Sequence, residues 1–361
     1  MLRAFGSPGR YVQGAGALAQ LGTLAAEHGR RPFVVADDVV LGLLRPRIEA
    51  SLGALAADAR FARFGGECTG AEIDRLAAGA ASAGADLIIG VGGGKAIDAA
   101  KGVRIVRDVP LVIVPTIASN DSPTSRLVVT YTEAHVLDEV RRMRTNPDVV
   151  LVDTEVLVRA PERFFVSGVG DAISKKFEAA QCIATGKDNF YGARPPRLAQ
   201  VIADACYEII RADAELALVA VRAQAADEAF ERTIEATILL SGLAFENGGL
   251  SIAHSLTRGF SVVPGVADAL HGEQVAFGLL AQLVLERRPD AFIADLLDFY
   301  ARLGLPRSLS DLGLKGDPAE AARLIAADTW TRAPYVGALA GGIDQARLEA
   351  AVLAAHRLTV P

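Results

Sequence analysis

The stretch DLIIGVGGGKAIDAAKGV places Gly90, Gly92, Gly93 and Gly94 directly after an apolar run and ahead of an Ala-rich segment of helical pattern. Glycines there let the backbone close on an anion, and the free N–H groups of a helix start, with the helix dipole, favour a pyrophosphate. Neither common fingerprint fits. A GxGxxG reading from Gly90 meets Lys95 at its last glycine, and a Walker A reading meets Ile89 and Ala96 at its first Gly and its Ser/Thr. An ordinary Rossmann or P-loop enzyme is thereby disfavoured, although a glycine turn that only joins strand to helix would use the same residues. Asp37 ends the first clear strand, where a carboxylate can accept both hydroxyls of an adenosine ribose and repel a 2′-phosphate. That favours NAD over NADP; the alternative is a polar strand terminus beside Asp38. The loop PTIASNDSPTS (115–125) follows another strand and gathers hydroxyl residues around Asn120 and Asp121, in the manner of a ligand loop or of a turn-rich connection.

Three further residues have the chemistry of a metal site. Asp171 opens a helical pattern in VSGVGDAISKKFEAA, His254 follows paired glycines in LAFENGGLSIAHSLTRGF, and His271 precedes an amphipathic segment in ALHGEQVAFG. One carboxylate and two imidazoles suit Zn²⁺ or Fe²⁺ with positions left for substrate oxygens. Separations of 83 and 17 residues match no local motif, so proximity does not follow from spacing, and each residue alone also reads as a helix cap or a structural imidazole. His28, His135 and His356 read as peripheral. Cys68, Cys182 and Cys206 are too few and scattered for a disulfide framework or a thiolate site, and read as reduced packing thiols.

These residues need a scaffold, and the periodicity describes one. Up to about residue 160, short β-branched runs alternate with Ala-rich amphipathic stretches, as in βαβ units around a buried parallel sheet: FVVA (33–36), DLIIGV (86–91), LVIV (111–114), LVVTY (127–131) and VVLV (149–152). From Pro161 the pattern is helical throughout. The expectation is an α/β nucleotide-binding domain over 1–160 and an all-α domain over 161–361, with the ligand cleft between them. Of 361 residues, 51% are hydrophobic, enough for a large core. The net charge of −6 gives no footprint for nucleic acid, no apolar run reaches the ~18 residues of a membrane span, and the N-terminus lacks a signal-peptide core. A cytoplasmic protein is expected.

The segments SPGRYVQG, FGGEC, GVGGGKAIDAAK, PTIASND, GVGDAISKKFEA, GLAFENGGLSIAHS and LHGEQVAFG, in this order, resemble the glycerol dehydrogenases of the iron-containing, or polyol, alcohol dehydrogenase superfamily. The resemblance covers almost the whole chain and is weakest over the last fifty or so residues. It implies a dehydroquinate-synthase-like fold in which NAD and one divalent metal, Zn²⁺ or Fe²⁺, lie between the two domains. It also implies that Asp171, His254 and His271 converge as metal ligands. By the same resemblance Asp37, Gly93, Gly94, Lys95 and Asp98, Thr116, Ser119, Ser125, Leu127 and Tyr131 contact the nucleotide, and Asp121 is the substrate-side carboxylate. The implied reaction is metal-assisted hydride transfer from glycerol or a related vicinal diol to NAD⁺, with Asp121 orienting a hydroxyl or relaying its proton. A homo-oligomer is expected from the same kinship.

Departures from that pattern bear on substrate. Close relatives often carry a second His just after the one matching His254, where this chain has Thr257 and Arg258. Arg126, Lys175 and Lys176 add positive charge beside the site segments and read first as surface charges on neighbouring helix faces. The other functions considered are a dehydrogenase for a hydroxy acid or glycerol phosphate, a lyase of the dehydroquinate synthase type, and a non-catalytic nucleotide sensor. The lyase is disfavoured by Asp171 in place of a Glu ligand and by few cleft cations.

Overall fold

The computed structural model describes residues 2–133 and 137–359. Eight strands form in chain order: β1 (Arg10–Gly14), β2 (Pro32–Ala36), β3 (Arg60–Arg63), β4 (Leu87–Gly92), β5 (Leu111–Pro115), β6 (Leu127–Tyr131), β7 (Leu137–Arg142) and β8 (Val149–Asp153). Six of them make one parallel sheet in the order β1-β8-β5-β4-β2-β3. The central strands are buried on both faces because their apolar residues are continuous, and the pleat sends alternate residues to opposite cores. Val35, Ile88, Ile113 and Val150 join one core with the helices Gly70–Ser82 and Gly94–Arg107. Val34, Ile89, Val112, Val114 and Leu151 join the other with Leu21, Leu44 and Ile48.

After β8, the described residues are helical without further strands, from Thr154–Leu157 to Gln345–Arg357. The first of the two cores continues into these helices through Phe165, Val169, Phe277 and Tyr300, so sheet and helices share one apolar interior. Among the described residues no single helix is long and apolar enough to cross a membrane. Cys68, Cys182 and Cys206 are free and buried, in keeping with packing thiols.

Two features differ from the sequence expectation. Leu127–Tyr131 is a strand, yet it pairs antiparallel with β7 outside the parallel sheet. Only alternate residues, Val128 and Thr130, are buried, as in a ribbon with one face covered. In addition, β1 (RYVQG), β3 (RFAR) and β7 (LDEVRR) lie outside the sequence expectation because they are short, charged strands at sheet edges, a composition that protects an open edge.

Candidate active site

In a parallel sheet all carboxyl ends share one edge, and β2, β4 and β5 are neighbours there. Asp37, Gly93 and Thr116, which directly follow those strands, therefore stand side by side, the position where open α/β sheets bind nucleotides. Gly93 precedes the helix Gly94–Arg107 without a side-chain cap, so the first backbone N–H groups are available to an anion. Asp37 Oδ1 accepts from Val40 N at 2.8 Å, fixing the carboxylate, and a Cβ built on Gly92 would lie 4.0 Å from its Oδ2. The 115–125 loop closes on this turn: Thr116 N donates to Gly92 O at 3.0 Å, and a Cβ on Gly94 would come within 2.9 Å of Asn120 Nδ2.

The other nucleotide candidates are engaged by the protein itself. Lys101, which sequence reasoning passed over, is fully buried and donates to Ser122 O at 2.6 Å and Leu127 O at 2.9 Å. Its ammonium also lies 3.3 Å from both Asp98 Oδ1 and Ser125 Oγ. Asp98 in turn accepts from Ser122 Oγ at 2.7 Å and Val129 N at 3.0 Å. These bonds pin the start of β6 and the 115–125 loop to the glycine-turn helix, so Asp98 and Ser125 shape the wall rather than offer free oxygens. Lys95 turns to Glu67 Oε2 at 2.6 Å and lies over the Tyr131 ring at 5.2 Å. The Ser119 carbonyl accepts from Ser167 Oγ at 3.1 Å, tying the loop to the helix Glu162–Ala172.

That helix carries Asp171. It can approach the loop because residue 168 is glycine: a Cβ there would lie 1.9 Å from Ala118 O. Asp171 is completely buried, and its Oδ1 lies 3.2 Å from His254 Nε2 and 3.9 Å from His271 Nε2. One donor atom from each of the three residues falls within 4.8 Å of the others. The two histidines, 5.4 Å apart by ring centroids, come from the first turns of Ile252–Phe260 and His271–Leu285. His28 and His356 stand outside this cluster, and His135 lies outside the described residues.

Glu178, also missed from sequence, holds His254 in place. Its Oε1 accepts from the backbone N of Ser251 at 2.9 Å and of His254 at 3.0 Å, capping the Ile252–Phe260 helix with a carboxylate where Ser251 supplies no side-chain cap. Its Oε2 lies 2.5 Å from His254 Nδ1 and accepts from Ser174 Oγ at 2.9 Å. A carboxylate on Nδ1 leaves Nε2 to face the donor cluster. Thr257 donates its hydroxyl to His254 O at 2.7 Å.

The charged lysines divide. Lys176 is a half-exposed partner of Asp204 at 3.4 Å, as expected of a surface charge. Lys175 is not on the surface: only 1% exposed, its Nζ lies 2.5 Å from Asp171 Oδ1, 3.1 Å from Asp121 Oδ2 and 3.1 Å from His254 Nε2. The reason is helical spacing, since residue 175 is four beyond Asp171 and shares its face. Arg126 is also drawn in, donating to Phe190 O at 2.6 Å beside Glu246, whose Oε1 accepts from the Arg126 backbone N. Asp121 accepts from Ser241 Oγ at 2.9 Å as well as meeting Lys175. Ser241 follows a π-helical turn, Glu235–Leu240, whose Ile238 carbonyl accepts from Thr124 Oγ1 at 3.2 Å.

Electrostatics follow from this crowding. Burial pushes Asp171 up, but Lys175 and the two histidines outweigh it and hold the carboxylate ionised, well below its ordinary range. Burial and the neighbouring Asp171 raise Asp121 despite Lys175. Burial works against a charged His254, yet Glu178 and Asp171 overcome it and raise its pKa to about 9. His271 is 43% accessible at its outer edge, but desolvation of its inner edge against the cluster, with the positive charge of His254 and Lys175, lowers it to about 4 and leaves the imidazole neutral. Asp171 Oδ2 is buried and has no hydrogen-bond partner among the described residues. An orphaned carboxylate oxygen next to an O, N, N donor set fits a divalent cation.

The chain matches the family model for iron-containing alcohol dehydrogenase over residues 8–154. A glycolaldehyde reductase from Halobacterium salinarum is 41% identical over 87% of this chain and 86% of its own length. A glycerol dehydrogenase from Escherichia coli O6:H1 is 37% identical over 99% of this chain and 97% of its own. The crystal structure of a probable glycerol dehydrogenase from Sinorhizobium meliloti 1021 superposes with a TM-score of 0.93 at 40% identity, covering 99% of both chains. Membership implies NAD(H) and a divalent metal. This chain is an oxidoreductase and belongs, with the glycerol dehydrogenases, to the iron-containing alcohol dehydrogenase family.

Proposed function

We propose that this protein oxidises glycerol, or a related small vicinal diol, to the hydroxyketone with NAD⁺ as acceptor. The observation that carries the reading is the convergence of Asp171, His254 and His271 beside Asp121, next to the nucleotide end of the sheet. The similar proteins named above act on glycerol and glycolaldehyde, compounds with two adjacent oxygens, and that class suits a cation site with open positions. Asp171, His254 and His271 would hold a divalent metal that supplies Lewis acidity to a substrate oxygen, and NAD⁺ would supply the hydride acceptor. Two imidazoles and one carboxylate favour Zn²⁺, with Fe²⁺ the other ion this set accepts.

The chain's own residues do the rest. Asp171 brings the charge, Glu178 fixes the ring of His254, and His271 closes the donor set from the start of its helix. Asp121, raised by burial and supported by Ser241 and Lys175, is placed to orient a hydroxyl and take its proton. Asp37 receives the ribose, Gly93 and Gly94 the pyrophosphate, Thr116 and Ser119 contact the nucleotide, and Leu127 and Tyr131 lie towards its nicotinamide end. The nucleotide unit is read as 1–160 and the metal unit as 161–361, in a cytoplasmic homo-oligomer. Exposed Leu198, Val201, Leu216 and Val219 on the long helix Arg197–Ala223 support the assembly.

The test is a steady-state comparison of glycerol, 1,2-propanediol, 2,3-butanediol, glycerol-1-phosphate and small 2-hydroxy acids at fixed NAD⁺. The highest kcat/KM should fall among the uncharged diols. A preference for the phosphate or the hydroxy acids would overturn the substrate assignment.

A further inference from the structure

The position of Lys175 has no counterpart in a plain three-ligand metal site. Its Nζ lies within hydrogen-bond distance of Asp171 Oδ1 and of His254 Nε2, two of the three donor atoms, and of Asp121 Oδ2 beside them. The side chain is fully buried, and the Phe245 ring lies 5.8 Å from the ammonium. A metal ion bound to Asp171 and His254 has to stand about 2.0–2.2 Å from both donors, in the space that this ammonium closes. One carboxylate oxygen, Asp171 Oδ1, is thus claimed by two cations.

Selection of an anionic substrate is the first alternative, and the surroundings argue against it. The carboxylate contacts of Lys175 go to Asp121 and Asp171, and Glu178 lies on the far side of His254, so an incoming anion would meet carboxylates. The positive charge of Lys175 is already committed.

We propose that Lys175 is a resident competitor for the metal. In the metal-free protein its ammonium fills the space among Asp171, His254 and Asp121 and keeps these groups in place. A divalent ion enters only when Lys175 leaves Asp171, so this chain binds its metal less tightly than the same donors would without the lysine. The inference rests on the reading of Asp171, His254 and His271 as metal donors.

The experiment titrates Zn²⁺ into metal-stripped wild type and Lys175→Met at one pH, in competition with a chromophoric chelator. Removing the competing cation should tighten Zn²⁺ binding by about tenfold or more, the factor equal to about 1.4 kcal/mol. A lysine with a purely structural role predicts the opposite sign, because its loss would loosen the donors. Equal or weaker binding by Lys175→Met overturns the role of the lysine alone. Absence of Zn²⁺ binding in both proteins overturns the donor assignment as well. Lys175→Met leaves buried carboxylates unpaired. If it fails to fold without metal, diffraction from Zn²⁺-soaked wild-type crystals decides. Lys175 Nζ displaced from Asp171 Oδ1 supports the proposal, and an intact contact beside bound zinc refutes it.

Discussion

Replacing Glu178 by glutamine keeps the side chain's shape and changes what His254 can do. Glu178 Oε1 accepts two backbone N–H groups, and Gln can keep both. Its Oε2, 2.5 Å from His254 Nδ1, becomes an amide NH₂ that can only donate. Contact survives only if Nδ1 gives up its proton, which moves the ring proton to Nε2 and removes that nitrogen's lone pair from the donor cluster. Lost charge-assisted hydrogen bonding of this kind is worth about 1.5–3 kcal/mol. The expected loss of metal affinity is therefore on the order of 10- to 100-fold, the range found when the carboxylate behind a ligating histidine is removed. Chelator competition with Zn²⁺ at pH 8 measures it, and circular dichroism confirms that the variant is folded. NMR titration of the metal-free variant should also show the His254 pKa falling from about 9 towards the ordinary imidazole range. A Zn²⁺ affinity within twofold of wild type would show that Glu178 does not hold His254 in its ligating form.

Asp37→Ser should raise the NADP/NAD ratio of kcat/KM by removing the carboxylate that repels a 2′-phosphate; an unchanged ratio contradicts the ribose assignment. Gly168→Ala puts a methyl group 1.9 Å from Ala118 O, and should cost about 1–3 kcal/mol in urea unfolding while weakening turnover, since the Asp171 helix must back away from the loop. Stability equal to wild type would show that this approach is not tight. Metal uptake should release a proton below pH 9, because His254 is protonated up to about 9 in the metal-free protein and must be neutral to donate Nε2. Apparent affinity then climbs about tenfold per pH unit and levels above that value; calorimetry in buffers of different ionisation heat checks it, and no proton release at pH 7 contradicts it.

The buried strands were legible because a parallel sheet demands continuous apolar runs, as in LIIGVG and VVLVD, whereas RYVQG and RFAR carry the charges that edges need and so resemble loops. The glycine turn was legible for the same local reason, as a break between a strand and a helix. Convergence of Asp171, His254 and His271 was not, because it depends on how separate helices pack; only family resemblance foretold it. Lys175 was misread as surface charge although its i,i+4 spacing from Asp171 was visible, because spacing gives a shared face without saying which way that face points. Glu178 and Lys101 were passed over since a charged residue in a helical pattern ordinarily faces water, and here each is buried by the carbonyls, amides and charges it satisfies.

On the proposed function, His254 and His271, with Asp171, hold the metal on which alcohol oxidation depends. Metal content and NAD⁺ affinity measured on His254→Ala, His271→Ala and the control His28→Ala, each confirmed as folded, test it most directly. The first two should lose bound metal and diol oxidation together while NAD⁺ binding at the glycine turn survives, and the control should keep all three. Folded His254→Ala and His271→Ala proteins that retain stoichiometric metal and oxidise the diol as fast as the control would contradict it.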